Sequence, residues 1–290
     1  NKVDLVYHKK MQIYLVGGAI RDRLLGFPPP YENDWVVVNG TPEDLDSRGY
    51  KKVGKSFPVY INPHTGDEYA LARKESKTGV GYHGFDFDAS PNITLEEDLA
   101  RRDLTINAIA EDENGLLIDP YKGQEDLDNR KLRHVSLAFK EDPLRVLRIA
   151  RFKAKLHNLG FTIAEETYSL ITEIVESGEL LALVPERIWL ETEKTLKHSR
   201  FDQYFKTLIK INALDQIYPD LAGLQKDFFS NIIFQQASQE MVSTKYRFAV
   251  LFYALLKEKN SDIKEIIESM QKSMNFPNSY KKIPLLLNNS

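Results

Sequence analysis

Short apolar and β-branched runs fill the first third of the chain, a pattern typical of buried strands rather than long helices. We predict strands at Gln12–Val16 and Trp35–Val38. Two further strands are predicted at Pro58–Ile61 and Glu68–Arg73, joined by a turn at 63–66 that contains proline and glycine. This part of the chain therefore predicts a mixed sheet.

Two other segments of this region have different patterns. Thr41, followed at once by Pro42 and three positions later by Asp44, predicts a helix start, because a threonine cap and an early proline favour one. Residues 74–94 carry three glycines among scattered polar residues, so we predict a long loop there. A loop of that length in a compact domain is usually functional or mobile.

The spacing of apolar residues becomes helical from Asp142 onward. Leu144, Leu147, Ile149 and Phe152 supply an apolar stripe, which predicts an amphipathic helix whose arginines face elsewhere. Further helices are predicted at 164–177, 187–197, 202–211, 245–257 and 261–273.

This change of pattern predicts an α+β protein, in which a catalytic head with a mixed sheet and helices precedes an all-helical neck and body. We place the head at 11–138, a helical nucleotide-recognition and neck region at 139–228, and a helical remainder at 229–290.

Composition and charge limit the classes of protein to which the chain can belong. The chain has no cysteine, which excludes disulfides and zinc–thiolate sites and fits a reducing cytoplasm. No apolar run reaches membrane-spanning length, so we expect no membrane partner. The formal net charge is −3, and nucleic-acid binding would therefore need a local basic face. The arginines that could build it are Arg101, Arg102, Arg145, Arg148 and Arg151.

A glycine turn with a nearby arginine follows the first predicted strand. Gly17 and Gly18 would let the backbone approach a phosphate, and backbone N–H groups together with Arg21 could bind the anion. A tight strand-to-helix turn without any ligand is the alternative interpretation.

Two carboxylates open the second predicted strand. Glu32 and Asp34 are two positions apart, so the strand period would place both on one face. Adjacent carboxylates repel each other unless a cation lies between them, and oxygen ligands suit Mg²⁺. Solvated surface acids are the alternative.

Four later segments complete a recognisable order. They are EYALAR at 68–73, RRDLTINA at 101–108, DPYKG at 119–123 and EDPLRVLRIARF at 141–152. With the glycine turn and the acidic pair, this set resembles the bacterial-type, class II tRNA nucleotidyltransferases, the CCA-adding enzymes, with the related bacterial poly(A) polymerases close behind. The resemblance runs from Met11 to about Lys197 and is weaker beyond.

The resemblance implies template-independent addition of CCA to the 3′ end of tRNA. The substrates would be CTP and ATP, the cofactor Mg²⁺, and the reaction a two-metal nucleotidyl transfer that releases pyrophosphate. For the metal site, the resemblance implies Glu32 and Asp34 as ligands and Glu68 as a third carboxylate that helps activate the hydroxyl. For the nucleotide, it implies Gly18 and Arg21 at the triphosphate and three further arginines, Arg102, Arg148 and Arg151. Asp142 and Arg145 would contact the incoming base.

Asp142 and Arg145 also have a simpler interpretation. They are three positions apart, which is the spacing of an intrahelical ion pair. As a base-reading pair, arginine donors and aspartate acceptors would match the hydrogen-bonding edges of C or A. A site of that kind rejects a base that leaves its polar groups unpaired.

The chain departs from the family pattern in two places. Glu32 stands where the family usually has aspartate, after a Pro28–Tyr31 segment one residue longer than usual, which should affect rate more than reaction type. Tyr253 and Ala254 stand where some relatives have the His-Asp pair of a metal-dependent phosphohydrolase domain. We therefore expect 229–290 to be degenerate relative to that domain and to serve packing or RNA contact.

Two alternatives remain at this point. Within the class, the chain could be a poly(A) polymerase or an enzyme that adds only part of CCA. The long loop at 74–94 favours full CCA addition, because in the family it takes part in switching from C to A. From another class, the chain could be a catalytically weak tRNA-binding protein.

Overall fold

The computed structural model describes residues 10–54, 58–77, 85–88, 90–238, 242–259, 262–282 and 284. The chain separates into two compact units, residues 1–141 and 142–290, which are described one at a time. The division falls after Glu141, close to the predicted end of the head at residue 138.

A seven-stranded mixed sheet forms the centre of the first unit. The strands of the chain are β1 Gln12–Val16, β2 Asp34–Val38, β3 Lys51–Val53, β4 Val59–Ile61, β5 Glu68–Leu71, β6 Lys74–Lys77, β7 Phe85–Asp88, β8 Ala110–Glu111, β9 Leu117–Ile118, β10 Lys131–Leu132 and β11 Thr162–Ile163. The order in the large sheet is β3-β4-β5-β2-β1-β8-β9. Only the central β2–β5 pair is parallel in this sheet, while its other neighbours run antiparallel.

Both faces of this sheet are covered by apolar side chains. Val36 and Val38 belong to one buried cluster, whereas Val37, between them, belongs to another with Leu45 of the helix after β2. Successive side chains of a strand point to opposite faces, so a continuous apolar run is what a strand covered on both sides requires. The predicted buried strands in this region are confirmed.

Twelve α-helices are found in the described residues. They are α1 Gly18–Leu24, α2 Pro42–Ser47, α3 Leu95–Ala100, α4 Gly123–Asp128, α5 Leu144–Lys155, α6 Glu165–Glu176, α7 Pro185–Leu196, α8 Asp202–Lys210, α9 Leu214–Ile217, α10 Ile232–Ala237, α11 Thr244–Lys259 and α12 Ile263–Met274. The predicted helices after residue 142 are confirmed to within about two residues at each end. None of the helices in the described ranges is long and apolar enough to cross a membrane.

The predicted start of α2 is also confirmed. The Asp44 backbone N–H donates to Thr41 Oγ1 at 3.2 Å, and the Thr41 backbone N–H donates to Asp44 Oδ2 at 2.8 Å. This reciprocal pair satisfies two N–H groups that the first helical turn leaves unpaired.

The predicted long loop at 74–94 is wrong over part of its length. β6 and β7 pair antiparallel, from Lys74 opposite Asp88 to Lys77 opposite Phe85. Backbone groups make this ladder, so the polar sequence of β6 does not prevent it. Residues 78–84 and 89, with all three glycines on which the loop prediction rested, lie outside the described residues.

In the second unit, residues near the C-terminus pack onto α7. The Trp189 ring lies 5.2 Å from Phe248 and 4.7 Å from Tyr280, centroid to centroid. The Tyr280 hydroxyl donates to Glu193 Oε1 at 2.8 Å, and a buried arginine, Arg247, donates to the carbonyl of Leu196 at 2.8 Å. Helix α7 is therefore anchored along this side and at its C-terminal end.

Candidate active site

Two carboxylates lie at the same level on neighbouring parallel strands. Asp34 opens β2 and Glu68 opens β5, and they are direct register partners. Residues in register on adjacent strands present their side chains to the same face of a sheet. Both residues are exposed, so the start of this central pair carries two accessible carboxylates.

Glu32 lies outside the strand. The predicted strand opening at Glu32 is two residues too early, because β2 begins at Asp34, so the strand period does not fix where the Glu32 side chain points. Glu32 is exposed. The hydroxyl of the preceding residue, Tyr31, donates a hydrogen bond to the carbonyl of Phe27 at 2.8 Å.

Across the described ranges no three His, Cys, Asp or Glu residues converge into a ready-made metal site. Mg²⁺ usually binds proteins through only one or two carboxylates and takes further ligands from substrate phosphates and water. The register pair of Asp34 and Glu68 supplies two accessible oxygen donors at one point, so the donor chemistry fits this ion.

The glycine turn joins β1 to α1 and has two arginines beside it. Gly17 has φ 74° and ψ −121°, a conformation that favours glycine. A Cβ atom at Gly17 would lie 3.2 Å from Arg102 Nη1, and one at Gly18 would lie 3.5 Å from Arg21 Nη2. The turn therefore brings a closely approachable backbone next to two guanidinium groups.

Arg21 is held in place from inside the first unit. It is 5% exposed, its Nε donates to Asp22 Oδ1 at 2.8 Å, and its Nη1 donates to Asn107 Oδ1. The Asn107 amide in turn donates to Asp103 Oδ1 at 3.0 Å. Sequence reasoning did not select Asn107 and Asp103 as site residues, although both belong to the 101–108 motif.

Arg102 shares a buried carboxylate with Arg101. Asp98 is fully buried and accepts from Arg101 Nη2 at 2.7 Å and from Arg102 Nη2 at 3.2 Å. Burial acts to raise the pKa of Asp98, but Arg101 and Arg102 outweigh it and hold that pKa below its usual value. Part of the predicted basic face is thus neutralised by this carboxylate.

Arg102 keeps bonding capacity at the turn. Its buried Nε makes no hydrogen bond to any residue that the structure describes. A buried N–H of this kind is costly unless something accepts from it. The Arg102 atom that lies beside the glycine turn is Nη1, and an anion bound there would contact this atom.

Helix α5 differs from the prediction in the placement of its arginines. The apolar residues Leu144, Leu147, Ile149 and Phe152 are buried as expected, but Arg145 and Arg151 are buried as well. Arg151 can be buried because its charge is paired with Glu191 on α7: its Nε donates to Glu191 Oε2 at 2.6 Å. Arg148 Nη1 lies 3.7 Å from the other oxygen of the same carboxylate. The expectation that the arginines face away from the packed side is therefore wrong.

Asp142 has a partner that its local spacing does not reveal. Arg187 Nη1 and Nη2 donate to its two carboxylate oxygens at 3.2 and 2.8 Å, and the Leu144 backbone N–H donates to Oδ1 at 3.1 Å. Arg145 contacts Asp142 through the backbone, since its N–H donates to the Asp142 carbonyl at 3.0 Å. Arg187 is 45 residues away in sequence, and only the packing of α7 beside α5 brings it here.

A mixed sheet, a glycine turn lined by arginines, and carboxylates that open two parallel strands define a nucleotidyltransferase head. The family described as the poly A polymerase head domain matches residues 13–133. The family described as the probable RNA and SrmB-binding site of polymerase A matches residues 160–224.

Relatives with high identity carry CCA names. The CCA-adding enzyme of Actinobacillus succinogenes is 58% identical over 219 residues, 76% of this chain and 54% of that protein. The multifunctional CCA protein of Aliivibrio salmonicida is 46% identical and is matched over 96% of this chain and 74% of that protein. The chain therefore belongs to the family of CCA-adding tRNA nucleotidyltransferases, whose members use divalent metal ions.

Solved structures agree on the fold. The Bacillus stearothermophilus CCA-adding enzyme in complex with CTP matches 97% of this chain and 67% of its own, with a TM-score of 0.74 and 28% identity. A tRNA nucleotidyltransferase with a primer tRNA and an incoming ATP analog matches 97% of this chain and 81% of its own, with a TM-score of 0.70 and 25% identity. In the matches to the first curated relatives, the chain spans about half of their length.

Proposed function

We propose that this chain adds CCA to the 3′ end of tRNA from CTP and ATP and releases pyrophosphate. The observation that carries the proposal is the in-register pair of Asp34 and Glu68 on a nucleotidyltransferase sheet. The names of the relatives support the choice of tRNA, CTP and ATP as substrates. The cytoplasm is the proposed location, because the relatives are bacterial CCA enzymes.

In the first unit, Asp34 and Glu32 would hold Mg²⁺ and Glu68 would complete the carboxylate set. Bound there, Mg²⁺ would neutralise phosphate charge and help activate the attacking 3′-hydroxyl. Gly18 and Arg21 would hold the triphosphate. Because Asp22 and Asn107 fix the guanidinium of Arg21 in advance, little side-chain freedom would be lost on binding.

Further nucleotide contacts are proposed for four arginines. Arg102, whose Nη1 lies beside the glycine turn, is suited to an anionic group. Arg148 and Arg151 are placed by Glu191 and would contact the nucleotide, while Arg145 together with Asp142 would read the incoming base. Matching donors and acceptors would favour C and A without a nucleic-acid template.

We propose no phosphohydrolase activity for 229–290. Its helices α11 and α12 pack onto α7, which favours a structural role for this segment. Hydrolysis of 2′,3′-cyclic phosphates by the purified chain, stimulated by a divalent metal, would contradict that interpretation.

One assay tests the main proposal. The chain is incubated with Mg²⁺ and tRNA that lacks CCA, with CTP and ATP supplied singly and together, and the tRNA ends are sequenced. We expect CC from CTP alone and complete CCA from both nucleotides.

The match to a poly A polymerase head favours one second candidate, which the same assay separates. Long A runs from ATP alone would identify a poly(A) polymerase, and a single A or only CC would identify partial addition. Binding of tRNA without any incorporation would identify a catalytically inactive tRNA-binding protein.

A further inference from the structure

Trp35 follows the carboxylate that opens β2 and contacts both neighbours of the carboxylate that opens β5. Its ring stacks on that of Tyr69, with centroids 5.6 Å apart and planes 10° from parallel. Its indole Nε1–H donates to Asp67 Oδ2 at 3.1 Å. Asp67 and Tyr69 are the residues on either side of Glu68, so a side chain adjacent to Asp34 contacts the chain on both sides of Glu68.

The stacked rings lie on the face of the sheet opposite to the carboxylates. Trp35 and Tyr69 are register partners one position further along the strands than Asp34 and Glu68, and successive side chains of a strand alternate between faces. Trp35 is partly buried there. Tyr69 is 8% exposed and is also contacted by the edge of the Tyr50 ring, with centroids 4.9 Å apart. The stack can therefore hold the two strands together without occupying the space of a ligand bound by the carboxylates.

The two carboxylates lie at the end of the β2–β5 ladder. The register of these strands starts at Asp34 and Glu68, so the ladder continues from them in one direction only. Like charges at directly paired positions repel each other, and here the repulsion acts where the strands are most easily separated. The hydrogen bond from Trp35 reaches Asp67, the residue before β5, and so extends the link between the strands beyond the end of the ladder.

The spacing of two carboxylates matters most for a cation with strict geometry. Mg²⁺ demands near-ideal octahedral coordination, whereas Ca²⁺ accepts more oxygen ligands in a flexible arrangement. Groups that orient metal ligands from behind typically change metal affinity or activity by about 10–100-fold when they are removed. Loss of a link between β2 and β5 should therefore weaken the binding of Mg²⁺ more than that of Ca²⁺.

We propose that Trp35 is a positioning residue that fixes the spacing of Asp34 and Glu68 from the opposite face of the sheet. The inference rests on the proposed function, because it assumes that these two carboxylates serve one divalent-cation site. Trp35 acts through the two strands and contacts neither the cation nor the nucleotide. Its loss should therefore change Mg²⁺ affinity beyond what a general loss of stability would cause.

The test uses three variants and one control of the full chain. Trp35→Leu removes both the stack and the N–H donor, Trp35→Phe keeps a ring but loses the donor, and Asp67→Ala removes the acceptor. Val37→Ala is the matched control, because Val37 is buried on the same face of β2, is paired with Leu71 of β5 and lies two residues beyond Trp35. Urea unfolding gives the stability of every variant.

The first readout is metal binding without nucleotide. The electron paramagnetic resonance signal of free Mn²⁺, which also prefers oxygen ligands, gives its dissociation constant, and displacement by Mg²⁺ or Ca²⁺ gives theirs. Binding that Asp34→Ala abolishes is assigned to the carboxylates. We expect Trp35→Leu to raise the dissociation constant of Mg²⁺ by roughly tenfold and that of Ca²⁺ by clearly less. Trp35→Phe and Asp67→Ala should give equal, smaller increases, because both remove the same hydrogen bond.

The second readout is single-turnover incorporation into tRNA that lacks CCA, measured over a range of Mg²⁺ concentrations. Trp35→Leu should raise the half-saturating Mg²⁺ concentration in proportion to the dissociation constant. Val37→Ala should match the wild type in both readouts, even if it lowers the free energy of unfolding by as much.

The outcomes separate this inference from the proposed function. A wild-type chain that binds the metals through Asp34 but incorporates no nucleotide would overturn the proposed reaction, and the dissociation constants would still judge Trp35. Unchanged Mg²⁺ affinity in a folded Trp35→Leu would overturn the positioning role, and so would an equal shift in Val37→Ala. If Trp35→Leu does not fold, unchanged Mg²⁺ affinity in both Trp35→Phe and Asp67→Ala would overturn it. Metal binding that survives Asp34→Ala would overturn it as well, because the carboxylates would then serve no common cation.

Discussion

Two pairs of carboxylates, one pair in each unit, have opposite surroundings. In the first unit, Asp34 and Glu68 stand side by side at the start of two parallel strands and are exposed. In the second unit, Glu191 is 3% exposed and forms an ion pair with Arg151, and Asp142 forms a bidentate ion pair with Arg187. The first two carboxylates lie at the surface of the protein, whereas each of the second two forms an ion pair with an arginine of the same unit.

Because of this difference, we expect substitutions of the exposed carboxylates to change activity and substitutions of the buried carboxylate to change the free energy of unfolding. Removing an exposed carboxylate usually changes the free energy of unfolding by only about 0.5 kcal/mol. Removing one partner of a buried ion pair costs roughly 3–5 kcal/mol, because the other charge is left buried without compensation. The same kind of substitution should therefore affect mainly activity at Asp34 or Glu68 and mainly folding at Glu191.

The largest expected effect is on catalysis at the sheet. Asp34→Ala should lower nucleotide incorporation by roughly a thousandfold or more, because charge stabilisation worth several kcal/mol would be lost. The free energy of unfolding should stay within about 0.5 kcal/mol of the wild type. Incorporation assays and urea unfolding measure the two. Glu113→Ala, at an exposed acid elsewhere in the first unit, is the control. Near-normal activity of Asp34→Ala would contradict the metal assignment.

The next effect is on stability in the second unit. Glu191→Ala should lower the free energy of unfolding by about 3 kcal/mol, because Arg151 would remain buried without its carboxylate. Urea unfolding followed by circular dichroism measures it, with exposed Glu176→Ala on α6 as the control. A loss no larger than that of the control would show that this pair contributes little and would weaken the contrast between the units.

A smaller change tests Glu32, whose position the strand period does not fix. Glu32→Ala should be nearly inactive if Glu32 is a metal ligand. Glu32→Asp should change incorporation by about tenfold, because Mg²⁺ demands near-ideal geometry and the carboxylate would move by about one methylene. A decrease would mean that the Pro28–Tyr31 segment has adapted to glutamate, and an increase would mean that it has not. If neither substitution has an effect, Glu32 is not a ligand.

The smallest expected effect concerns pH in the second unit. Burial lowers the pKa of His157, and Arg200, Lys153 and Lys206 lower it further, against the opposing effect of Asp202. A histidine whose folded pKa lies below its unfolded value of about 6.5 stabilises the fold above that value. This contribution is lost as the pH falls through about 6.5 and below. His157→Gln should flatten the dependence of unfolding free energy on pH between about 7 and 5. An unchanged slope would show that His157 is not its source.

Much of the fold could be predicted from the sequence, because its strands and helices have strong local patterns. Gln12–Val16 is a short apolar run and Thr41 begins a recognisable cap, and both signals lie within a few residues. The β6–β7 pairing is harder to predict, because the glycine-rich segment 79–84 between the strands favours a loop, although the Phe-Asp alternation at 85–88 is a strand pattern.

The candidate site could be predicted in part. The resemblance selects Glu68, but its register with Asp34 follows from strand pairing between residues 34 positions apart in the sequence. Two ion pairs depend on how α5 and α7 pack against each other. They are Arg187 with Asp142 and Arg151 with Glu191. No local spacing encodes such contacts, so these arginines could not be assigned partners from the sequence.

The parallel pairing of β2 and β5 also determines which insertions and deletions would leave Asp34 and Glu68 side by side. Asp34 and Glu68 are aligned by the ladder between the strands, not by the length of the chain that connects them. Residues could therefore be gained or lost in the turns of that crossover without separating the two carboxylates. A one-residue slip of β5 against β2 would be different, because such a slip turns every side chain of a strand to the opposite face. Glu68 and Asp34 would then lie on opposite sides of the sheet.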